Sequence, residues 1–144
     1  MTVPVRAIVS LGSNLGDRAQ SLADAVAALS ALPGVRLVAE TAPEETEPVG
    51  VPPEFAGLKF LNKVAVFETT LGPVEFSDAM HAIEDSLGRV RTVKNGPRTI
   101  DIDLVDFGGM RMDTPSLTLP HPRAKERAFV TGPLKTLGIS VFSG

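Results

Sequence analysis

Lys94-Asn95-Gly96-Pro97-Arg98-Thr99-Ile100-Asp101-Ile102-Asp103-Leu104-Val105 is the stretch around which the chain is organised. Past the Gly-Pro turn, Ile100, Ile102 and Leu104 alternate with Asp101, Asp103 and Val105, the period-two pattern of a strand with one apolar face. Asp101 and Asp103 therefore point the same way, roughly 6.5 Å apart at ~3.3 Å per residue. Like charges so placed repel unless something positive lies between them. Arg89, Arg91, Lys94 and Arg98 make the preceding segment basic, so carboxylates and cations together describe a site for a magnesium-loaded polyphosphate. The plain alternative is an edge strand with two solvated aspartates, since acidic alternation on a solvent face is common.

Upstream, Gly72-Pro73 starts a helix with proline at its first position. Phe76, Met80, Ile83 and Leu87 follow at i, i+4, i+7 and i+11. On a 100° wheel Glu84 falls about 80° round from Phe76, at the margin of the buried stripe, and His81 about 140° away on the wet side. His81 is thus expected to be an ordinary solvated histidine and Glu84 the more informative neighbour. Residues 60–69 read as a strand with Phe60, Asn62, Val64, Val66 and Glu68 on one face. Phe60 and Asn62 then offer an aromatic platform beside a paired donor and acceptor, or simply a core phenylalanine beside a turn asparagine. Residues 43–59 carry Pro43, Pro48, Pro52, Pro53, Gly50 and Gly57 and are expected to form no regular element. So long a connection is a functional lid or disordered. Val49, Phe55 and Leu58 could dock and favour the lid, and with residues 91–97 it is expected to be mobile in the free protein and to close over ligands.

The chain starts with a strand over 5–11. It runs into Gly12-Ser13-Asn14-Leu15-Gly16-Asp17, where glycine admits a close backbone approach or a positive φ and Asn14 or Asp17 caps a helix. A strand-to-helix turn explains the same residues without a ligand. Leu22, Val26 and Leu29 mark the helix over 18–32, Pro33-Gly34 ends it, and a second strand covers 35–41. Downstream of the Asp-x-Asp strand, residues 107–112 read as a turn and a short extended piece, and Pro120 and Pro122 keep 117–123 from being helical. His121, near Arg123, Lys125 and Arg127, is either structural or a partner for a phosphate oxygen. From Pro133 the tail is weakly patterned. Strand, helix, strand, strand, helix, strand is the ferredoxin-like βαββαβ order: an α+β sandwich with an antiparallel sheet, helices on one face and long active-site loops. That fold hosts many functions and selects none.

The 144 residues imply a single domain, 1–144, with a real core. No segment is long or apolar enough to span a bilayer, and the first residues lack the apolar run of a signal peptide. With no cysteine, there is neither a disulfide framework nor a thiolate metal site, so a reducing cytoplasm is the expected compartment. Any metal must be held by oxygen or by one of only two histidines. A net charge of −3 argues against a nucleic-acid surface. No membrane partner is expected, and a monomer is the default.

Four separated segments together resemble one family, the hydroxymethyl-dihydropterin pyrophosphokinases of folate biosynthesis. They are Leu11 to Asp17, Thr46-Glu47-Pro48-Val49-Gly50 with Phe60-Leu61-Asn62, Lys94 to Val105, and Pro120-His121-Pro122-Arg123 leading to Arg127-Ala128-Phe129. The resemblance covers residues 7 to 134 and agrees with the element order. It implies that ATP donates its β,γ-pyrophosphoryl unit to the hydroxymethyl group of the pterin, releasing AMP. Asp101 and Asp103 would carry two Mg²⁺ ions. Glu84, Arg89, Arg91, Arg98, Thr118, His121 and Arg127 would line the ATP side, with Arg89, Arg91 and Arg98 joining the two aspartates in catalysis. Phe60 and Phe129 would sandwich the pterin, Asn62 would pair with its polar edge, and Gly12, Thr46 and Val49 would supply backbone contacts. Asn95 departs from the family, standing where some members have an aromatic residue, and the lid is a few residues longer than usual.

Two rival readings belong to other classes. A ferredoxin-like RNA-binding module would want a basic sheet face with exposed aromatics, where this chain offers an acidic pair. A catalytically dead relative would retain ligand binding, yet both aspartates and all the arginines are present.

Overall fold

The structure is a computed structural model and describes residues 3–14, 17–46, 59–87, 100–115, 117–121 and 128–139. In chain order the elements are β1 (Val5–Ser13), α1 (Arg18–Ser30), β2 (Val35–Glu40), β3 (Glu44–Thr46), β4 (Phe60–Thr69), α2 (Pro73–Ser86), β5 (Asp101–Phe107), β6 (Met112–Asp113), β7 (Thr118–Leu119) and α3 (Ala128–Thr136). The main sheet runs β2-β4-β1-β5, with β3 also paired to β4. Every pairing in it is antiparallel. β6 and β7 form a separate small ribbon.

Local chemistry sets these boundaries. Of the two cap candidates, Asp17 is the one that acts: its carboxylate accepts from the Gln20 N–H at 3.1 Å and satisfies one orphan donor of α1. α2 begins with Pro73 after Gly72, whose N–H donates to the Glu75 side chain at 3.2 Å. The stripe of α2 meets the sheet through Phe76, whose ring lies 6.3 Å from Phe67 of β4 and 5.9 Å from Phe107 of β5, both tilted. Tilted aromatic contacts of this kind add about 0.5–1.5 kcal/mol each beyond area burial. They lock α2 against the strand that carries the two aspartates.

α1 and α2 share one face, as expected. Leu22, Ala25 and Leu29 of α1 and Phe76 and Met80 of α2 pack there on Ala7, Val9, Leu11, Ala65, Phe67, Ile102 and Leu104. The first difference from the expected order is an additional helix. α3 covers the opposite face, Val130 and Leu134 packing on Ile8, Val64, Val66 and Val105. Gly138, at φ 72°, ends it. A second difference lies in residues 43–59: Glu44 to Thr46 do form a strand, pairing with Asn62 to Phe60, while 47–58 lie outside the described residues. A third is a bulge in β5. Ile8 pairs with Asp106 but Val9 with Leu104, leaving Val105 as the extra residue. Both Leu104 and Phe107 thereby reach the α1/α2 core.

Candidate active site

The register of three strands builds the site. Gly12 of β1 lies between Asp101 of β5 and Asn62 of β4 in one cross-sheet row, and directly opposed residues point to the same face. The next row holds Asp103, Ser10 and Val64. Asp101, Asp103, Gly12, Asn62 and Phe60 therefore share the sheet face that α3 half covers, away from α1 and α2. Their odd-and-even partners Ile102 and Leu11 are buried in the opposite core, which is what fixes the carboxylates outward.

Gly12 is needed for space. A Cβ there would lie 2.7 Å from Asn62 Oδ1 and 3.5 Å from Phe60 Cδ1. The Asn62 carboxamide thus lies over the Gly12 backbone, and its Nδ2 donates to Thr46 Oγ1 at 2.5 Å. Asn62 is 6% exposed, so its orientation is set by this bond and by the bare backbone beneath it. Thr46 is held in turn. Arg18 of α1 donates to the Lys59 carbonyl and to Glu45 Oε2, both at 2.9 Å, tying together the residues on either side of 47–58. The Arg18 hydrogen bond, helped by the charges of Arg18 and Lys59, holds the Glu45 carboxyl below the usual carboxylate range.

On the outer side of β5, the His121 N–H donates to the Val105 carbonyl at 2.9 Å. This brings His121 Nε2 to 3.7 Å from Asp103 Oδ1. Leu119-Pro120, just before it, is a cis peptide. Between α2, the edge of β5 and the residues Pro115, Leu117, Thr118 and His121 lies a groove of about 230 Å³, lined also by Met80, His81, Ile102 and Asp103. Glu84 stands behind it, 2% exposed. Its Oε2 accepts from the Ile102 N–H at 2.8 Å and its Oε1 lies 3.0 Å from His81 Nδ1. His81 was expected to be simply solvated. It is half exposed but sits on the groove and on Glu84, so it belongs to the site's surroundings. The wheel could not show this, because it measures the angle from the core and the groove lies to one side of it.

Among the described residues, then, Gly12, Thr46, Phe60, Asn62, Asp101 and Asp103 gather on one face, and Thr118 and His121 line the adjoining groove. Val49, Arg89, Arg91, Arg98, Arg127 and the Phe129 side chain lie outside the described residues, as do 47–58 and 91–97, for which closure over ligands was expected. Asp101 and Asp103 offer hard oxygen donors, both partly exposed. Among the described residues no cluster of three metal-ligating side chains occurs. A donor set of two carboxylates fits Mg²⁺, which keeps waters and shares its shell with substrate phosphates, and does not fit a closed structural site.

Residues 8–138 match the model of the 7,8-dihydro-6-hydroxymethylpterin-pyrophosphokinase family. The 2-amino-4-hydroxy-6-hydroxymethyldihydropteridine pyrophosphokinase of Methylorubrum extorquens is 41% identical over 139 residues, covering 96% of this chain and 86% of its own length. The protein of the same name from Bacillus subtilis is 41% identical over 128 residues, 89% of this chain and 75% of its own. In fold, the chain is similar to a solved HPPK-DHPS chain in complex with substrates, with a TM-score of 0.68 at 13% identity over 94% of this chain. The match spans 40% of that longer chain.

Proposed function

The chain belongs to the 7,8-dihydro-6-hydroxymethylpterin-pyrophosphokinase family, and on that premise we propose how its residues carry out the family's reaction. The reaction is transfer of pyrophosphate from ATP to the hydroxymethyl group of 6-hydroxymethyl-7,8-dihydropterin, in folate biosynthesis. The alcohol oxygen forms a bond to the β-phosphorus of ATP. The bond from that phosphorus to the α,β-bridging oxygen breaks, AMP leaves with the oxygen, and the alcohol proton is released.

The observation that carries the reading is the row Asp101, Gly12, Asn62. Its ends are about 10 Å apart, two inter-strand spacings of roughly 4.8 Å. That span lets a triphosphate held at Asp101 and Asp103 meet the hydroxymethyl arm of a pterin held at Asn62. In this reading Asn62, oriented by Thr46, pairs with the polar edge of the pterin, and Phe60 and Phe129 stack on its faces. Gly12 leaves the room in which the Asn62 carboxamide lies and offers backbone polar groups beside it. Met80 and Leu117 give the groove apolar walls for the adenosine, and Thr118 and His121 line its polar side. Arg89, Arg91, Arg98 and Arg127 neutralise phosphate charge with planar donors. Asp101 and Asp103 would hold Mg²⁺, two ions by the family resemblance, and the metal would supply charge neutralisation and acidify the alcohol. The protein's own share is alignment of nucleophile and phosphorus, and charge placement. We take the enzyme to be a single-domain, cytoplasmic monomer without nucleic-acid or membrane partners, in keeping with its cysteine-free, mildly acidic composition.

The test is AMP release from ATP. It should require both Mg²⁺ and the pterin alcohol, and ATP cleavage to ADP, or AMP formed equally well without pterin, would refute the reading.

A further inference from the structure

Glu84 is a buried side chain that forms no part of the transfer step described above. A polar side chain only 2% exposed must be hydrogen-bonded inside the protein, so its partners indicate why it is there. One is the Ile102 N–H, 2.8 Å from Oε2. Ile102 is the residue between Asp101 and Asp103, and among the described residues β5 is the edge of the main sheet, with β1 on its other side. Its N–H thus points away from β1, toward Glu84. The Ile102 side chain is buried in the α1/α2 core. Core packing anchors Ile102 between the two carboxylates, and the Glu84 bond fixes the peptide unit that joins it to Asp101.

We propose that Glu84 is a positioning residue for the cation-holding pair Asp101 and Asp103, acting through the Ile102 amide, and that His81 holds the Glu84 carboxylate in place from the groove side. This rests on the reading of the two aspartates as cation holders, and it gives Glu84 a role distinct from the nucleotide contact that the family resemblance implies. Two carboxylates on one edge strand repel each other, and a charge-assisted bond from the backbone between them resists the resulting twist. Outer partners of metal ligands commonly govern 10- to 100-fold in metal affinity. The Glu84 bond acts at the same remove, through one peptide unit.

The experiment compares Glu84→Gln, Glu84→Asp and Glu84→Leu in the full chain. Three quantities are read: amide exchange at Ile102 in the free protein, Mn²⁺ affinity by electron paramagnetic resonance with a non-hydrolysable ATP analogue, and affinity for that analogue without metal. Glu84→Gln keeps an acceptor oxygen and should preserve Ile102 protection and Mn²⁺ binding. Glu84→Leu, and the shorter Glu84→Asp should Leu prevent folding, should expose the Ile102 amide to exchange and weaken Mn²⁺ binding roughly 10- to 100-fold. Metal-free nucleotide affinity should not move. His81→Ala should act in the same direction, more weakly. Wild-type Mn²⁺ affinity in a folded Leu or Asp variant overturns the proposal, because a merely structural carboxylate would lower thermal stability and leave metal binding alone. Weakened metal-free nucleotide binding in Glu84→Gln also overturns it, by making Glu84 a direct contact. Asp101→Ala and Asp103→Ala serve as separate controls: unchanged Mn²⁺ affinity in both would sink the cation reading itself, whatever Glu84 does.

Discussion

Gly12→Ala is the smallest change that should separate pterin binding from everything else the protein does. The added methyl would lie 2.7 Å from Asn62 Oδ1, inside van der Waals contact, so the carboxamide must move. It is held by Thr46 Oγ1, a bond worth about 1 kcal/mol net, and pushing it aside loses much of that bond. Overpacking of this kind costs about 1–3 kcal/mol, and because the obstacle is a side-chain end rather than backbone the lower figure applies. About 1 kcal/mol shifts Tm by roughly 3–5 °C in a domain of this size. The effect on the pterin is larger. If the displaced amide leaves one or two in-plane hydrogen bonds of the ligand unmade, the loss is about 1–3 kcal/mol, or roughly five- to 150-fold in Kd. Asp101 flanks Gly12 on the other strand but is tied to it by backbone pairing, so ATP binding should hold. Calorimetry with pterin and with an ATP analogue reads both. A folded Gly12→Ala protein with wild-type pterin affinity would show that Asn62 does not face the pterin, and loss of nucleotide affinity instead would reverse the assignment of the two ends of the row.

Asp101→Ala and Asp103→Ala should each remove most turnover while leaving the circular dichroism spectrum and Tm close to wild type, since Ile100, Ile102 and Leu104 still fill the core; substantial activity in either contradicts the metal reading. Phe129→Ala should weaken pterin binding a few-fold to about tenfold through lost stacking of ~0.5–1.5 kcal/mol, without changing ATP affinity by calorimetry. Because the Arg18 bond lowers the Glu45 pKa in the folded state, this group adds stability above its unfolded pKa, and that contribution is lost as pH falls through the lower folded value. Glu45→Gln should accordingly flatten the fall of Tm on the acid side, below the usual carboxylate value of 4.5. The difference should shrink in high salt because the pair is exposed, and identical acid limbs in the two proteins would rule the contribution out.

What could be read from residues alone follows from how strongly each segment is patterned. Phe76, Met80 and Ile83 repeat at helical spacing without interruption and are all buried, so α2 needed no tertiary information. The Asp-x-Asp strand was equally legible, because alternation fixes faces whatever the neighbours are. α3 was not, since Gly132 and Pro133 stand in its middle. It forms because Val130 and Leu134, four residues apart, bury a shared stripe on a sheet face that α1 and α2 leave open, a tertiary gain that outweighs poor propensity. β3 is only three residues long next to Pro43, and it exists because β4 extends past β2 and offers an unpaired edge there. Local pattern marks Asp101 and Asn62 separately. Their common row through Gly12 depends on register, which no local pattern encodes.

The central claim is that this row brings the cation-bound triphosphate up to the pterin's hydroxymethyl group. Mn²⁺ in place of Mg²⁺, a non-hydrolysable ATP analogue and pterin labelled with ¹³C at the hydroxymethyl carbon provide the measurement, since the paramagnet broadens a nearby ¹³C resonance. With all ligands bound, the line should broaden strongly in the wild type, as expected for a carbon within roughly 10 Å, two strand spacings, and should sharpen in Asp101→Ala and Asp103→Ala. A sharp line in the fully loaded wild-type protein would contradict the account.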